Sequence, residues 1–193
     1  MNKKTDPTYK KIFTPQGELG EVQKKPNLDF LMNIFNIPRI FGVSGFGSWN
    51  VGQHSLCTAF IALYWAKYRG YEDKKRDALV TLAMTHDLHE AVTGDILPYF
   101  KTREVRSMID EIQSDITGYF SIKHDPQLEK EVKLIDMVAF LYEIHGSPAR
   151  HPKNVKLLDT MMKRQKKECS DYGESIGISK EVFNKFLTLL YIY

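Results

Sequence analysis

The sequence predicts an all-α protein. Apolar residues recur at helical spacing in successive segments, those segments carry start and stop signals, and no alternating run long enough for a strand is present. The first segment starts at Asn27, whose side chain suits a cap, runs through Leu28, Leu31, Met32 and Phe35, and is stopped by Pro38. The second runs from Asn50 to Arg69, with apolar faces from Leu56, Phe60 and Leu63 and from Ala59, Ile61, Tyr64 and Trp65, before Gly70. The third begins near Asp73 and continues through Leu79, Leu82 and Ala83 towards Thr93-Gly94. Further helices are predicted over about 103–121, 126–145 behind the Asp125-Pro126 cap, 154–170, and 180–192 behind Ser179.

At 193 residues the chain fits one domain, which can bury a core without disulfide help. Residues 1–26 are polar, with Pro7, Pro15 and Pro26, and read as an irregular lead-in to a helical domain over 27–193. Basic residues near the N-terminus have no apolar run behind them, so no secretory signal is expected. No stretch of about 18 apolar residues is present to span a bilayer. Cys57 reads as a small core residue and Cys169 as a residue in polar surroundings. A disulfide has no support, and a cytoplasmic location is the simpler expectation. The net charge of +3 is mild, and Lys74-Lys75-Arg76 and the basic run 163–167 read as solvated helix faces rather than a nucleic-acid surface. The glycine-rich stretch 41–48 lacks the Gly-Lys-Ser/Thr ending of a phosphate-binding loop and reads as a connector.

The chemistry concentrates around His86-Asp87. An imidazole and a carboxylate side by side can bind one divalent ion if the helix bends there, but a catalytic ion needs further donors from other helices. His54 is a candidate third ligand and Asp136 a fourth, the latter because it interrupts an apolar run where a carboxylate is costly unless paired or bound. Glu90, four residues after His86, is expected on the same helical face, where it can transfer a proton or orient His86. Asp95 follows Gly94, where a turn can aim it back. His124, His145 and His151 read as surface residues. His89-Glu90 is followed by Thr93 rather than histidine, which excludes a HExxH metalloprotease. The residues alone leave two readings open: a cation site, or hydrogen-bonded polar groups on helix faces.

The ordered set Asn50-Val51-Gly52-Gln53-His54-Ser55, His86-Asp87 with Glu90 and Thr93-Gly94-Asp95, and then Asp136 resembles the HD superfamily of phosphohydrolases. More narrowly it resembles the YfbR-type 5'-deoxynucleotidases and the HD phosphohydrolase type of oxetanocin A biosynthesis, over roughly residues 28–145. The resemblance implies a helical bundle with a metal site in its core, His54, His86, Asp87 and Asp136 as ligands, Glu90 as acid–base residue, and Asp95 at the sugar or the attacking water. It matches Arg39 to a phosphate-binding arginine, with Lys101 as a second candidate. Mixed imidazole and carboxylate donors suit Co, Mn, Ni, Fe or Zn better than Mg.

The implied substrate is a small (deoxy)nucleotide, of adenine type, losing its phosphates one at a time. Release of tripolyphosphate in one step, or nucleotide binding without turnover, are the alternatives. The resemblance also implies a homodimer; composition points to neither a membrane nor a nucleic-acid partner. Gln53 where the family often has Glu, His89 where it often has a small residue, and Ile40 after the arginine depart from the pattern and bear on the substrate more than on the reaction.

Overall fold

The structure is a computed structural model that describes residues 24–39, 49–97, 100–146 and 152–192. Most of the lead-in, the glycine-rich stretch 41–48, Ile40 and His151 lie outside the described residues. Among the described residues the elements are helical: α1 (Leu28–Met32) running into a 3-10 segment (Asn33–Asn36), α2 (Val51–Tyr68), α3 (Asp73–Thr85), α4 (Glu90–Thr93), α5 (Arg103–Tyr119), α6 (Pro126–Gly146), α7 (Pro152–Ser175) and α8 (Lys180–Leu189). Extended pairing among these residues is limited to one isolated antiparallel bridge, Pro38 with Asn50. None of these helices is long and apolar enough to cross a membrane.

The caps do what the side chains allow. Asn27 accepts from the Phe30 amide at 2.8 Å, Asp125 from those of Gln127 and Leu128 at 3.0 and 3.1 Å, and Ser179 from that of Val182 at 3.3 Å. Asn50 and Gln53 form a reciprocal capping box at the start of α2. That accounts for Gln53: it is exposed, and its amide oxygen serves the helix start rather than a substrate pocket.

The core forms where α2 packs on α3 and α6, with α7 against α6 and α8 against α7. Trp65, Leu79, Leu134, Ile135, Leu141, Phe183 and Phe186 fill it. A smaller cluster of Ile34, Val51, Leu88, Ala91, Ile112 and Ile116 lies towards the N-terminal end of α2. His54 falls between these two groups along α2.

Several expectations shift. The α2 face that packs is Ala59, Ile61, Ala62, Trp65 and Ala66; Leu56, Phe60, Leu63 and Tyr64 are exposed. Burying the other face brings Trp65 and His54 inward together. In the first segment Ile34 is buried while Leu28, Met32 and Phe35 are exposed, because the helix tightens to 3-10 after one turn and the phase changes. The cysteines exchange places: Cys169 is fully buried and Cys57 only partly, and both are free thiols. The basic runs engage acids on their own helices, Arg76 with Asp73 and Asp77, Arg164 with Glu168 and Lys167 with Asp171.

Candidate metal centre

The predicted third helix does not run through to Thr93. It ends at Thr85, residues 86–89 form a turn, and α4 follows for a single turn. This break places the His-Asp pair. With the chain out of helical register, both His86 and Asp87 turn to one site, which an unbroken helix would forbid for adjacent residues. The same break removes the expected i,i+4 relation of Glu90 to His86. Glu90 groups instead with Asp87 and His89. Gly94 closes α4 with φ +69°, a backbone conformation that a Cβ would strain.

The side chains from α2, the turn and α6 converge. His54 Nε2 lies 3.0 Å from Asp136 Oδ1 and 3.7 Å from Asp87 Oδ2. His86 Nε2 lies 3.0 Å from Asp87 Oδ2 and 3.8 Å from Asp136 Oδ1. Lys133 Nζ reaches Asp136 Oδ2 at 2.7 Å. His86 Nδ1 donates to the Ala83 carbonyl at 2.8 Å, which leaves Nε2 as the nitrogen facing the carboxylates. Buried there, Nε2 makes no hydrogen bond, despite the nearby oxygens. On the other ring, His54 Nδ1 donates to Glu143, so its Nε2 also faces inward. Two imidazoles fixed from behind, with their inward nitrogens among carboxylate oxygens, suit a divalent cation. His54, His86 and Asp136 each offer a ligand atom within 4.8 Å of the others.

The electrostatics agree. Burial works against a charged His86, but Asp87 and Asp136 outweigh it and lift the ring to about 10. Burial works against a charged Asp136 too, yet His54, His86 and Lys133 hold it well below the usual carboxylate range. Asp87 and Asp136 thus form a pair of carboxylates that draws positive charge, met here by His86 and Lys133. Glu90 is the exception: burial first, then Asp87 and Asp95, push it up to about 9, so it keeps its proton at neutral pH. One of its oxygens is buried without a hydrogen bond.

Arg39 enters from outside the bundle. Its amide donates to the Trp49 carbonyl at 3.0 Å beside the Pro38–Asn50 bridge, which ties it to the start of α2. Its Nη1 lies 3.6 Å from Asp87 Oδ2 and its Nε 3.5 Å from Glu143 Oε2. Asp95 acts electrostatically on both Arg39 and Glu90, and Lys101 on Glu90 and His89. His89 is buried, its amide and Nδ1 at 3.0 and 3.3 Å from Gln113 Oε1. His124 is exposed beside Glu129, and His145 is exposed near the end of α6.

Glu143 was not legible as part of the site, although the signal used for Asp136 was available: an acid inside the apolar run Val138–Ile144, seven residues further along the same helix.

A model of the HD domain family matches residues 46–187, and the chain belongs to that family. Among solved structures, one that resembles it is the HD phosphohydrolase DatZ of cyanophage S-2L, bound to dA and one catalytic Zn2+ ion. The two share 16% sequence identity with a TM-score of 0.65, over 84% of this chain and 93% of that one. At that identity the likeness is one of fold. No curated protein sequence matches the chain.

Proposed function

We propose that the chain is a metal-dependent phosphohydrolase acting on a small nucleotide, with His54, His86, Asp87 and Asp136 holding one divalent transition ion. The observation that carries this is His86 Nε2: a buried ring nitrogen without a hydrogen bond, set between two carboxylates and backed by Nδ1 on a carbonyl. A bound ion would supply Lewis acidity at a phosphoryl oxygen and make water a better nucleophile at neutral pH.

The rest of the work falls to the chain's own groups. Arg39, beside Asp87, presents a guanidinium fork to the phosphate, and Lys101 adds positive charge on the Glu90 side. Glu90 holds a proton in a buried position and hands it to the leaving oxygen as the phosphorus–oxygen bond breaks; Asp95 receives the proton of the attacking water. Positioning and charge carry most of the rate, as phosphoryl transfer requires little covalent help.

The substrate is a (deoxy)nucleotide of adenine type, losing phosphates successively. The dA and Zn2+ bound by DatZ support a nucleotide and a transition ion, and the resemblance to the YfbR and oxetanocin A types supports stepwise release. Stripping the metal and adding back Zn, Mn, Co, Ni, Fe or Mg, with phosphate release followed from adenine mono-, di- and triphosphates, tests the reading. Turnover that depends on a transition ion and falls at least about 1,000-fold in Asp87→Ala is expected, since the group is both ligand and neighbour of Arg39. Equal activity of Asp87→Ala and wild type would end it, and tripolyphosphate as first product would replace stepwise release by one-step cleavage.

A further inference from the structure

Glu143 is fully buried at the second turn beyond Asp136 on α6. A carboxylate without exposed surface is retained only where its oxygens are engaged, and here each oxygen faces a different functional group. One accepts from His54 Nδ1; the other lies 3.5 Å from Arg39 Nε. His54 lies on α2, and Arg39 on the segment bridged to its start.

We propose that Glu143 is a positioning residue that orients the metal ligand His54 and anchors the phosphate-binding Arg39 at the same time. The inference rests on the phosphohydrolase reading. Accepting from Nδ1 fixes the His54 tautomer with Nε2 towards the ion and raises the ring's basicity as a ligand. Facing Nε draws the arginine down by its near side. The guanidinium's Nη1 then points towards Asp87, and the two carboxylates hold Arg39 by charge, at 3.6 and 3.5 Å, rather than by short hydrogen bonds. An arginine held by charge from behind keeps its fork available for paired hydrogen bonds to a phosphate. One carboxyl thus ties the ion's place to the phosphate's place.

Glu143→Gln separates this role from simple support. The amide oxygen can still accept from Nδ1, but the amide nitrogen confronts Arg39 donor to donor. The two constants to measure are Mn2+ affinity, by calorimetric titration of the metal-stripped chain, and the affinity of the metal-loaded chain for inorganic phosphate. About ten-fold weaker Mn2+ binding is expected in Glu143→Gln, at the lower end of effects for groups behind a ligand histidine. Phosphate binding is expected to weaken about ten-fold in the same variant, as for the loss of one charge-assisted contact.

Arg39→Ala should weaken phosphate binding without weakening Mn2+ binding. In Arg39→Ala/Glu143→Gln, phosphate binding should be no weaker than in Arg39→Ala, because the glutamate acts through the arginine. Circular dichroism checks the fold, and if Glu143→Gln does not fold, Glu143→Asp, which keeps the charge but withdraws it, should give the same pattern. Wild-type constants in the folded variant, or phosphate losses that add, overturn the proposal. A wild-type chain that takes up no Mn2+ overturns the phosphohydrolase reading with it.

Discussion

Replacing Glu131 with leucine should destabilise the protein, and the structure sets the size of the effect. Glu131 is 5% exposed and receives the Trp65 indole N–H at 2.8 Å and the Tyr71 hydroxyl at 2.6 Å. Lys75 Nζ lies 3.9 Å from it and stacks over the Tyr71 ring. Leucine fills much of the volume but leaves both donors without an acceptor. Tyr71 is half-buried, so water can serve its hydroxyl; Trp65 is 1% exposed, so its N–H has nowhere to turn. A buried donor left unmade costs about 1–3 kcal/mol, and the upper half applies because the lost acceptor is charged. At about 2–4 °C per kcal/mol for a chain of this size, the melting temperature should fall by about 5–10 °C. Thermal unfolding followed by far-UV circular dichroism reads this directly. The decisive control is the Trp65→Phe background, where the same change should cost less than about 1 kcal/mol because the orphan is gone. Equal costs in both backgrounds, or a melting temperature within about 1 °C of wild type, would refute the reasoning.

Two further outcomes follow from single positions. A Cβ on Gly52 would stand 2.5 Å from the Phe35 ring, so Gly52→Ala should lower stability by about 1–2 kcal/mol despite alanine's better helix propensity. In a Phe35→Ala background the sign should reverse, which paired thermal melts would show. Burial pushes the thiols of Cys57 and Cys169 up to about 12, so neither forms appreciable thiolate at pH 8. Ellman's reagent should therefore label the native chain slowly at both positions, and rapidly once urea unfolds it; fast labelling of folded protein would contradict the burial described here.

Much of this was legible in the sequence because it is local. Caps at Asn27, Asp125 and Ser179 are set by side chains a few residues from the amides they serve, and the helices follow. The meeting of His54, His86, Asp87 and Asp136 came from a family pattern rather than from spacing, and the structure brings all four together. What local reasoning missed depended on tertiary packing. The break after Thr85 carries no proline or glycine, so nothing nearby announces it. The outward turn of Leu56, Phe60 and Leu63 follows from the competing face of the same helix being chosen as core. Glu143 joins the site through partners 89 residues away at His54 and further still at Arg39.

The donor groups sit on α2, on the turn after α3, and on α6, far apart along the chain. An ion gripped there would clasp three helices that otherwise meet through side-chain packing and a few buried hydrogen bonds such as Trp65 to Glu131. The unfolded chain cannot reproduce that grip, so the ion acts as a staple whose strength tracks its free concentration, about 2.7 kcal/mol at a hundred times the dissociation constant. Starving a cell of the metal would then lower not only turnover but the amount of folded protein, and resupply would restore both together.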